Sequence, residues 1–485
     1  MHTRHPRIVI AGLRGGSGKT TLSLGLIASL AGQGRKIVPF KKGPDYIDAG
    51  WLSSAAGQPC YNLDPFLIGS KKILDSFTEH AEGADLSVIE GNRGLYDGMD
   101  AAGTYSTAEL AKMLHAPVIL IMDCTKVTRT AAAMAYGMLT FDRKVAIRGV
   151  VLNQIAGKRH EAVIKEAIEK YCGIPVVGAI PKLRDGLLSE RHMGLTPFQE
   201  HGDVKAAVSA AGELVSRYVD VGRIYEIAKE AKPLRGAKVR GQEPTAVRDE
   251  TPELKRLTIG IIRDSAFQFY YPENFEELER RGAALVEISA LTQKKLPGID
   301  ALYIGGGFPE TNAIGLANNR SFRQSLKKEV ENGLPVYAEC GGLMYLGRTL
   351  VLDGKKYPMS GVLPLDFELF KRPKAHGYTI VAVGKHNPFY PKGTVLKGHE
   401  FHYSGVARFS ASPGVRFAFS MQRGEGILGK MDGICYRNVL ATYTHLHAYG
   451  TPAWAEGMVS AALSHRKKKE ERGTTGRSHT AARRK

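Results

Sequence analysis

The stretch RIVIAGLRGGSGKTTLSLGL, residues 7 to 26, constrains the fold of this chain more than any other. An apolar run that reads as a buried strand passes through a glycine-rich turn into a helical pattern. In that context glycines let successive backbone N–H groups converge on phosphate oxygens, and the helix N-terminus adds a favourable dipole. Arg14, Gly15, Gly16, Ser17 and Gly18 would form the cradle, Lys19 would reach the terminal phosphates, and the Thr20 hydroxyl would bind Mg²⁺. The usual spacing puts glycine at position 13, where Leu13 stands, so counting from Gly12 makes the loop one residue longer.

The pattern around the loop is that of a doubly wound α/β domain. RIVIAG, KIVPFKK, LSVIEG, PVILIMD, RGVVLNQ and IPVVGAI are Val/Ile runs without polar alternation, as expected of parallel strands covered on both faces. Helical stretches such as TTLSLGLIASLAGQG and RHEAVIKEAIEKYCG alternate with them. From 226 to 256 the chain turns charged and proline-containing, which reads as a linker. A second α/β pattern opens at RLTIGIIRD and runs to about residue 465. The expected organisation is therefore 1–225, linker 226–256, a second domain 257–465 and a basic, disordered tail 466–485. A chain of 485 residues is long enough for two such cores.

Charge and cysteine content narrow the function. The last twenty residues hold nine Lys or Arg against two Glu, so seven of the nineteen surplus positive charges lie in the tail. A solvated tail explains them without a nucleic-acid partner, and the rest of the surplus suits an anionic substrate. Five dispersed cysteines without a CxxC pair argue against a disulfide framework or zinc knuckle. With no apolar run near the roughly 20 residues of a membrane span, and a first apolar run too short for a signal peptide, a cytoplasmic protein is expected.

Carboxylates stand where a metal–phosphate site needs them. Asp45 and Asp48 follow one strand in FKKGPDYIDAGW; Glu90 and Asp97 follow the next in LSVIEGNRGLYDG. Residues just past strand C-termini face the ligand crevice of an open parallel sheet. Some of them could equally be helix caps or loop residues. Asn153, at the end of GVVLNQ, is open between base recognition and turn capping.

The second domain carries VYAECGGLMYL, in which Cys340 lies between a strand-like run and a Gly-Gly helix start. This arrangement resembles a nucleophile elbow. A helix N-terminus there would depress the thiol pKa, and an imidazole would complete the pair. His445 in LATYTHLHAYG is the first candidate and His447, two residues on, its competitor; YIGGGFPE, 303 to 310, offers N–H groups for an oxyanion. A core cysteine beside unrelated histidines is the plain alternative.

Taken together, FKKGPDYID, CYNLDPFL, EGNRGLYDG, AECGGLMYL, GHEFHYS and TYTHLH resemble the cobyrinic acid a,c-diamide synthases over roughly residues 5 to 450. The loop from Arg14 to Thr20 is similar to the deviant phosphate loop of the MinD and dethiobiotin synthetase superfamily. The resemblance implies a P-loop parallel-sheet domain followed by a class I glutamine amidotransferase-like domain. It also implies ATP, Mg²⁺ and glutamine, with a tetrapyrrole carboxylate as substrate, and leaves room for a homo-oligomer. Cys340 and His445 would release ammonia from glutamine. Thr20, Asp45 and Glu90 would hold Mg²⁺, Asn153 would contact adenine, and Tyr46, Asp48 and Asp97 would line the carboxylate and phosphate site.

Two departures matter. Many class I amidotransferases place glutamate two residues after the histidine, where this chain has His447, so a dyad is implied and the orienting group stays unassigned. Asn92-Arg93 stand where many corrin-amidating members have Val-Met. Sirohydrochlorin, its nickel chelate, a sirohaem-type ring and hydrogenobyrinic acid therefore stay open beside cobyrinic acid. A MinD-like ATPase switch is the alternative of another class, and it leaves Cys340 and His445 unexplained.

Overall fold

The apolar runs of the N-terminal half become one seven-stranded sheet. Its strands are β1 (Arg7–Gly12), β2 (Ile37–Lys42), β3 (Tyr61–Leu63), β4 (Leu86–Gly94), β5 (Val118–Asp123), β6 (Ile147–Ile155) and β7 (Val176–Pro181). Their order is β3-β2-β4-β1-β5-β6-β7, and every pairing is parallel. The computed structural model describes residues 5–183, 190–191, 194–196, 198, 201–234 and 257–482. It divides into two compact units, Met1–Glu243 and Pro244–Lys485.

Burial explains the missing polar alternation. All six residues of β1 and of β2 are buried, as are the first five of β5. Helix α1 (Lys19–Gly32) covers one face, and Leu22, Leu26 and Ile27 share a core with Ala211 and Val215 of the helix Val204–Tyr218. Strand β3 was not expected, because three residues are too few to show a period. The turn after it marks its place: the buried Asp64 side chain accepts from Phe66 N at 2.9 Å and Leu67 N at 3.1 Å, with Pro65 opening the short helix.

The start of the linker is corrected. The helix Val221–Lys229 runs into it, with Ile224, Ile227 and Ala228 fully buried and Ala231 and Leu234 nearly so. The Lys232 carbonyl also accepts from the buried Arg7 guanidinium. Residues 226–234 are therefore core of the first unit, their three–four apolar spacing hidden among charges. The remainder of the expected linker, 235–256, lies outside the described residues.

The second unit is built on a ten-stranded sheet whose first five strands are parallel. In spatial order these are Ala284–Ile288, Thr258–Ile262, Ala301–Ile304, Val336–Glu339 and Val439–Thr442. Antiparallel strands Met431–Tyr436, Arg416–Arg423, Ala375–Val383, Val395–His402 and His445–Leu446 complete it. A separate four-stranded sheet, Thr349–Leu352 to Ser404–Phe409, packs its Leu350, Leu365 and Phe367 into the core that contains Cys340.

The basic tail differs from the disorder expected of it. The last helix runs Pro452–Ala482, and Arg466, where the tail was placed, pairs with Asp300. The Lys, Arg and Glu of residues 466–472 are good helix formers and let a packed helix continue past the apolar stripe. Residues 483–485 lie outside the described residues. Among those described, no helix is long and apolar enough to cross a membrane.

Candidate functional site

In the first unit the phosphate loop leaves β1 at Gly12 and enters α1 at Lys19. Ser17 is buried, its hydroxyl donating to Arg14 O at 3.0 Å. Lys19 Nζ folds back onto the same carbonyl at 3.1 Å. Burial, then the nearby Lys41 charge, lowers the Lys19 pKa. Arg14 points outward and pairs with Asp123 at 2.8 Å.

Gly18 is fixed by two constraints at once. Its φ of 98° disfavours any L side chain, and a Cβ there would collide with Asn153 Nδ2. Asn153 braces the loop, donating to Ser17 O at 3.0 Å while its Oδ1 accepts from Gln154 N at 2.9 Å. We expect Gly18→Ala to weaken nucleotide binding at least about tenfold, or 1.4 kcal/mol. Titration with a fluorescent nucleotide, beside a melting curve, checks it.

The predicted acids converge on a residue that sequence reasoning left unassigned. Lys41 Nζ donates to Asp48 Oδ2 at 2.7 Å, to Glu90 Oε1 at 2.8 Å and to Gly91 O at 3.3 Å. Thr20 Oγ1 donates to the same Glu90 oxygen at 2.8 Å. Burial alone would lower the Lys41 pKa, but the Asp48, Glu90 and Asp45 carboxylates outweigh it and hold the ammonium well above its ordinary range. Asp48 is likewise held below the usual carboxylate range, Lys41 overcoming its burial. Burial, reinforced by Asp48, pushes Asp45 up to about 7. Burial also raises Glu90.

The geometry separates the other predicted residues. Asp45 Oδ1 accepts from Asp48 N at 2.9 Å, and exposed Asp97 accepts from Gly94 N at 2.8 Å, so both also hold turns. Tyr46 is half-buried between Asp45 and Asp48 in sequence, at the start of the helix Ile47–Ala56. Buried Glu90 Oε2 has no hydrogen-bond partner. That orphan oxygen and the all-oxygen donor set fit a hard dication. No ready-made group of three metal-ligating side chains exists among the described residues, because Lys41 sits among the acids.

In the second unit the elbow has the expected form. Val336–Glu339 is a fully buried strand, Gly341–Leu346 a helix, and Cys340 between them has φ 48° and ψ −99°. Cys340 N donates to Thr442 O at 2.8 Å, and Gly342 N to Gly305 O at 3.0 Å, so the turn is tied both to the strand Val439–Thr442, which ends three residues before His445, and to the YIGGG loop. Gly306 lies under the His445 ring: a Cβ there would stand 3.2 Å from Nε2 and overlap Cε1. Gly305 N donates to Tyr270 OH at 2.8 Å, leaving the following glycines as the loop's candidate oxyanion donors.

The expected depression of the thiol pKa is overturned. Burial pushes Cys340 well above the ordinary thiol value, and Glu310, Glu339 and Glu400 add to it against one backbone hydrogen bond from Gly341. The helix that follows has only six residues, too little to offset that surrounding. The protein should therefore alkylate slowly at Cys340, the rate still rising as pH is taken from 7 to 9. Iodoacetamide labelling with peptide mapping checks this, with half-buried Cys172 as internal comparison. A Cys340 rate that levels off near neutral pH would contradict it.

The two histidines, expected on one side, have different partners. His445 Nδ1 lies 3.4 Å from Glu339 Oε2, and His447 Nε2 lies 3.4 Å from Glu273 Oε1. His447 is fully buried against Tyr271, ring centroids 4.6 Å apart, and its Nδ1 accepts from Tyr449 N at 3.2 Å. His399, from GHEFHYS, stacks on His445 at 4.9 Å. Burial, then the neighbouring histidines, holds His399 neutral, well below its usual pKa.

Both units match family models. Residues 8–194 match a CobQ/CobB/MinD/ParA nucleotide-binding domain and residues 258–453 a CobB/CobQ-like glutamine amidotransferase domain. The chain is 42% identical to a cobyrinate a,c-diamide synthase of Magnetococcus marinus, the alignment covering 94% of this chain and 97% of that protein. It is 40% identical to one from Archaeoglobus fulgidus, covering 94% and 98%. A third, from Methanosarcina barkeri, is 39% identical, covering 95% and 97%. Similarity at this level across nearly the whole of each protein places the chain in the cobyrinate a,c-diamide synthase family.

Proposed function

We propose that this protein uses ATP and glutamine to amidate the a and c acetate side chains of cobyrinic acid, in cobalamin biosynthesis. The observation that carries the reading is the pairing, in one chain, of a phosphate loop facing an acidic cluster with an elbow cysteine bonded to the glycine loop whose Gly306 lies against the His445 ring. A carboxylate oxygen is a poor leaving group until it is phosphorylated. In the first unit the substrate carboxylate attacks the γ-phosphorus and ADP departs, giving an acyl phosphate. Ammonia then attacks the acyl carbon and phosphate leaves.

Lys19 and the loop N–H groups neutralise the phosphates as charge moves onto them. Asn153 contacts adenine. Tyr46, Asp48 and Asp97 line the acceptor side, with Lys41 offsetting the Asp48 and Glu90 charges. Thr20, Asp45 and Glu90 would hold Mg²⁺, which would supply charge neutralisation at the phosphates. The orphan Glu90 Oε2 supports that set.

In the second unit His445 takes the Cys340 thiol proton as Sγ attacks the glutamine amide carbon, and passes it to the departing ammonia. Water, deprotonated by His445, then cleaves the glutamyl thioester to glutamate and free thiol. A MinD-like switch has no use for this second constellation.

Mass spectrometry of products tests the substrate. Purified protein with ATP, Mg²⁺ and glutamine is offered cobyrinic acid, hydrogenobyrinic acid, sirohydrochlorin and nickel-sirohydrochlorin in parallel. Diamide formed fastest from cobyrinic acid is the expected result. Amide formed from a sirohydrochlorin-type ring alone would move the enzyme to another pathway, and no amide from any ring would overturn the substrate class.

A further inference from the structure

The residue before the nucleophile is a glutamate, buried in full on the same strand that delivers Cys340. A buried carboxylate normally needs a compelling set of partners. Glu339 has three. Its Oε2 lies 3.4 Å from His445 Nδ1 and accepts from Tyr303 OH at 3.1 Å, and its Oε1 accepts from Leu446 N at 3.2 Å. The last of these grips the backbone next to His445 itself.

We infer that Glu339 is the positioning residue of the amidotransferase site, orienting His445 through Nδ1 so that Nε2 is presented to the cysteine sulfur; this rests on the glutaminase reading of Cys340 and His445. Strand alternation points Glu339 and Cys340 in different directions, so a carboxylate adjacent in sequence reaches the far side of the imidazole. A second layer holds it in place. Asn274 Nδ2 donates to Tyr303 OH at 3.4 Å and to Leu446 O at 3.0 Å, while its Oδ1 accepts from Ala448 N at 2.7 Å. Glutamate, tyrosine and asparagine thus clamp both the ring and the backbone of the His445–Leu446 strand. The arrangement replaces the usual acid two residues beyond the histidine. Here that position is His447, directed instead at Glu273.

A carboxylate in this role fixes the tautomer and steadies the imidazolium that forms as the thiol loses its proton. Its loss should therefore lower kcat for glutamine hydrolysis rather than glutamine affinity. We expect Glu339→Gln to reduce glutaminase kcat about 10²–10³-fold with glutamine KM within about threefold. Tyr303→Phe, which removes one hydrogen bond and keeps the ring, should reduce kcat about three- to tenfold by the same split. Glu339→Asp should recover part of the lost kcat.

Glutamine hydrolysis and ammonia-driven amidation are measured side by side on the full chain. A Glu339→Gln enzyme with kcat within about threefold of the parent overturns the assignment. So does a rise in KM with kcat unchanged. Should Glu339→Gln fail to fold, Tyr303→Phe decides, and an unchanged kcat there overturns it equally. A Cys340→Ala enzyme that still uses glutamine would instead defeat the underlying reading, so the two failures are told apart.

Discussion

Cys340→Ala should remove glutamine-driven amidation by at least about 10³-fold while ammonia-driven amidation stays within about threefold of the parent. The expectation follows from there being one constellation in each unit, one supplying phosphoryl transfer and the other ammonia. The thioester route has no substitute nucleophile nearby: among the described residues Cys435 is buried in a different core and points to Gly433 O at 3.5 Å. The backbone at Cys340, φ 48° and ψ −99°, carries a strain of about 1–3 kcal/mol for a non-glycine residue. Alanine keeps that strain, so the variant should fold with the parent's geometry. Cys340→Gly relieves it, and should melt no lower than Cys340→Ala although it has lost more buried surface. Paired assays with glutamine or ammonium as nitrogen source, with thermal melts of both variants, check this. Full glutamine activity in either variant would displace Cys340 as nucleophile.

Most parallel strands of the first unit, and Thr258–Ile262 and Val336–Glu339 of the second, were legible because burial on two faces leaves unbroken apolar runs. Tyr61–Leu63 is too short and Ala284–Ile288 too exposed to show one. The elbow was legible because a strand, a cysteine and two glycines occur together. The antiparallel half of the second sheet was not, since strands such as Arg416–Arg423 mix buried and exposed residues irregularly. The thiol environment differs from expectation for a related reason: sequence shows the helix start beside Cys340 but not the glutamates folded around it. Lys41 and Glu339 both stand in recognisable motifs, FKKGPDYID and AECGG. Only the fold reveals that each is the buried counter-group of a predicted site residue. Their signal in sequence was one of charge: carboxylates expected at strand ends require a cation, and a catalytic histidine requires an acid to orient it.

Lys41→Met should have the largest effect on stability and should remove amidation from both nitrogen sources, unlike any change at Cys340. The side chains of Lys41 and Glu90 are almost wholly buried, and that of Asp48 is 19% exposed, so solvent does little to replace a missing ammonium. Breaking such a pair leaves carboxylates uncompensated and costs about 3–5 kcal/mol. The sign of its pH dependence follows from Asp48, whose pKa Lys41 holds below the ordinary value. Stabilisation of that kind is present above the unfolded carboxylate pKa and is lost as pH falls through the folded one. The deficit of Lys41→Met should thus be greatest near neutral pH and shrink toward pH 4, where Asp48 and Glu90 take up protons in the variant. Pairing it with Asp48→Asn removes one orphaned charge and should restore much of the stability, but not the activity. Urea melts of both variants from pH 4 to 8, with both amidation assays, decide it. A Lys41→Met protein as stable as the parent at pH 7 would mean that the acids do not depend on this lysine for their charge.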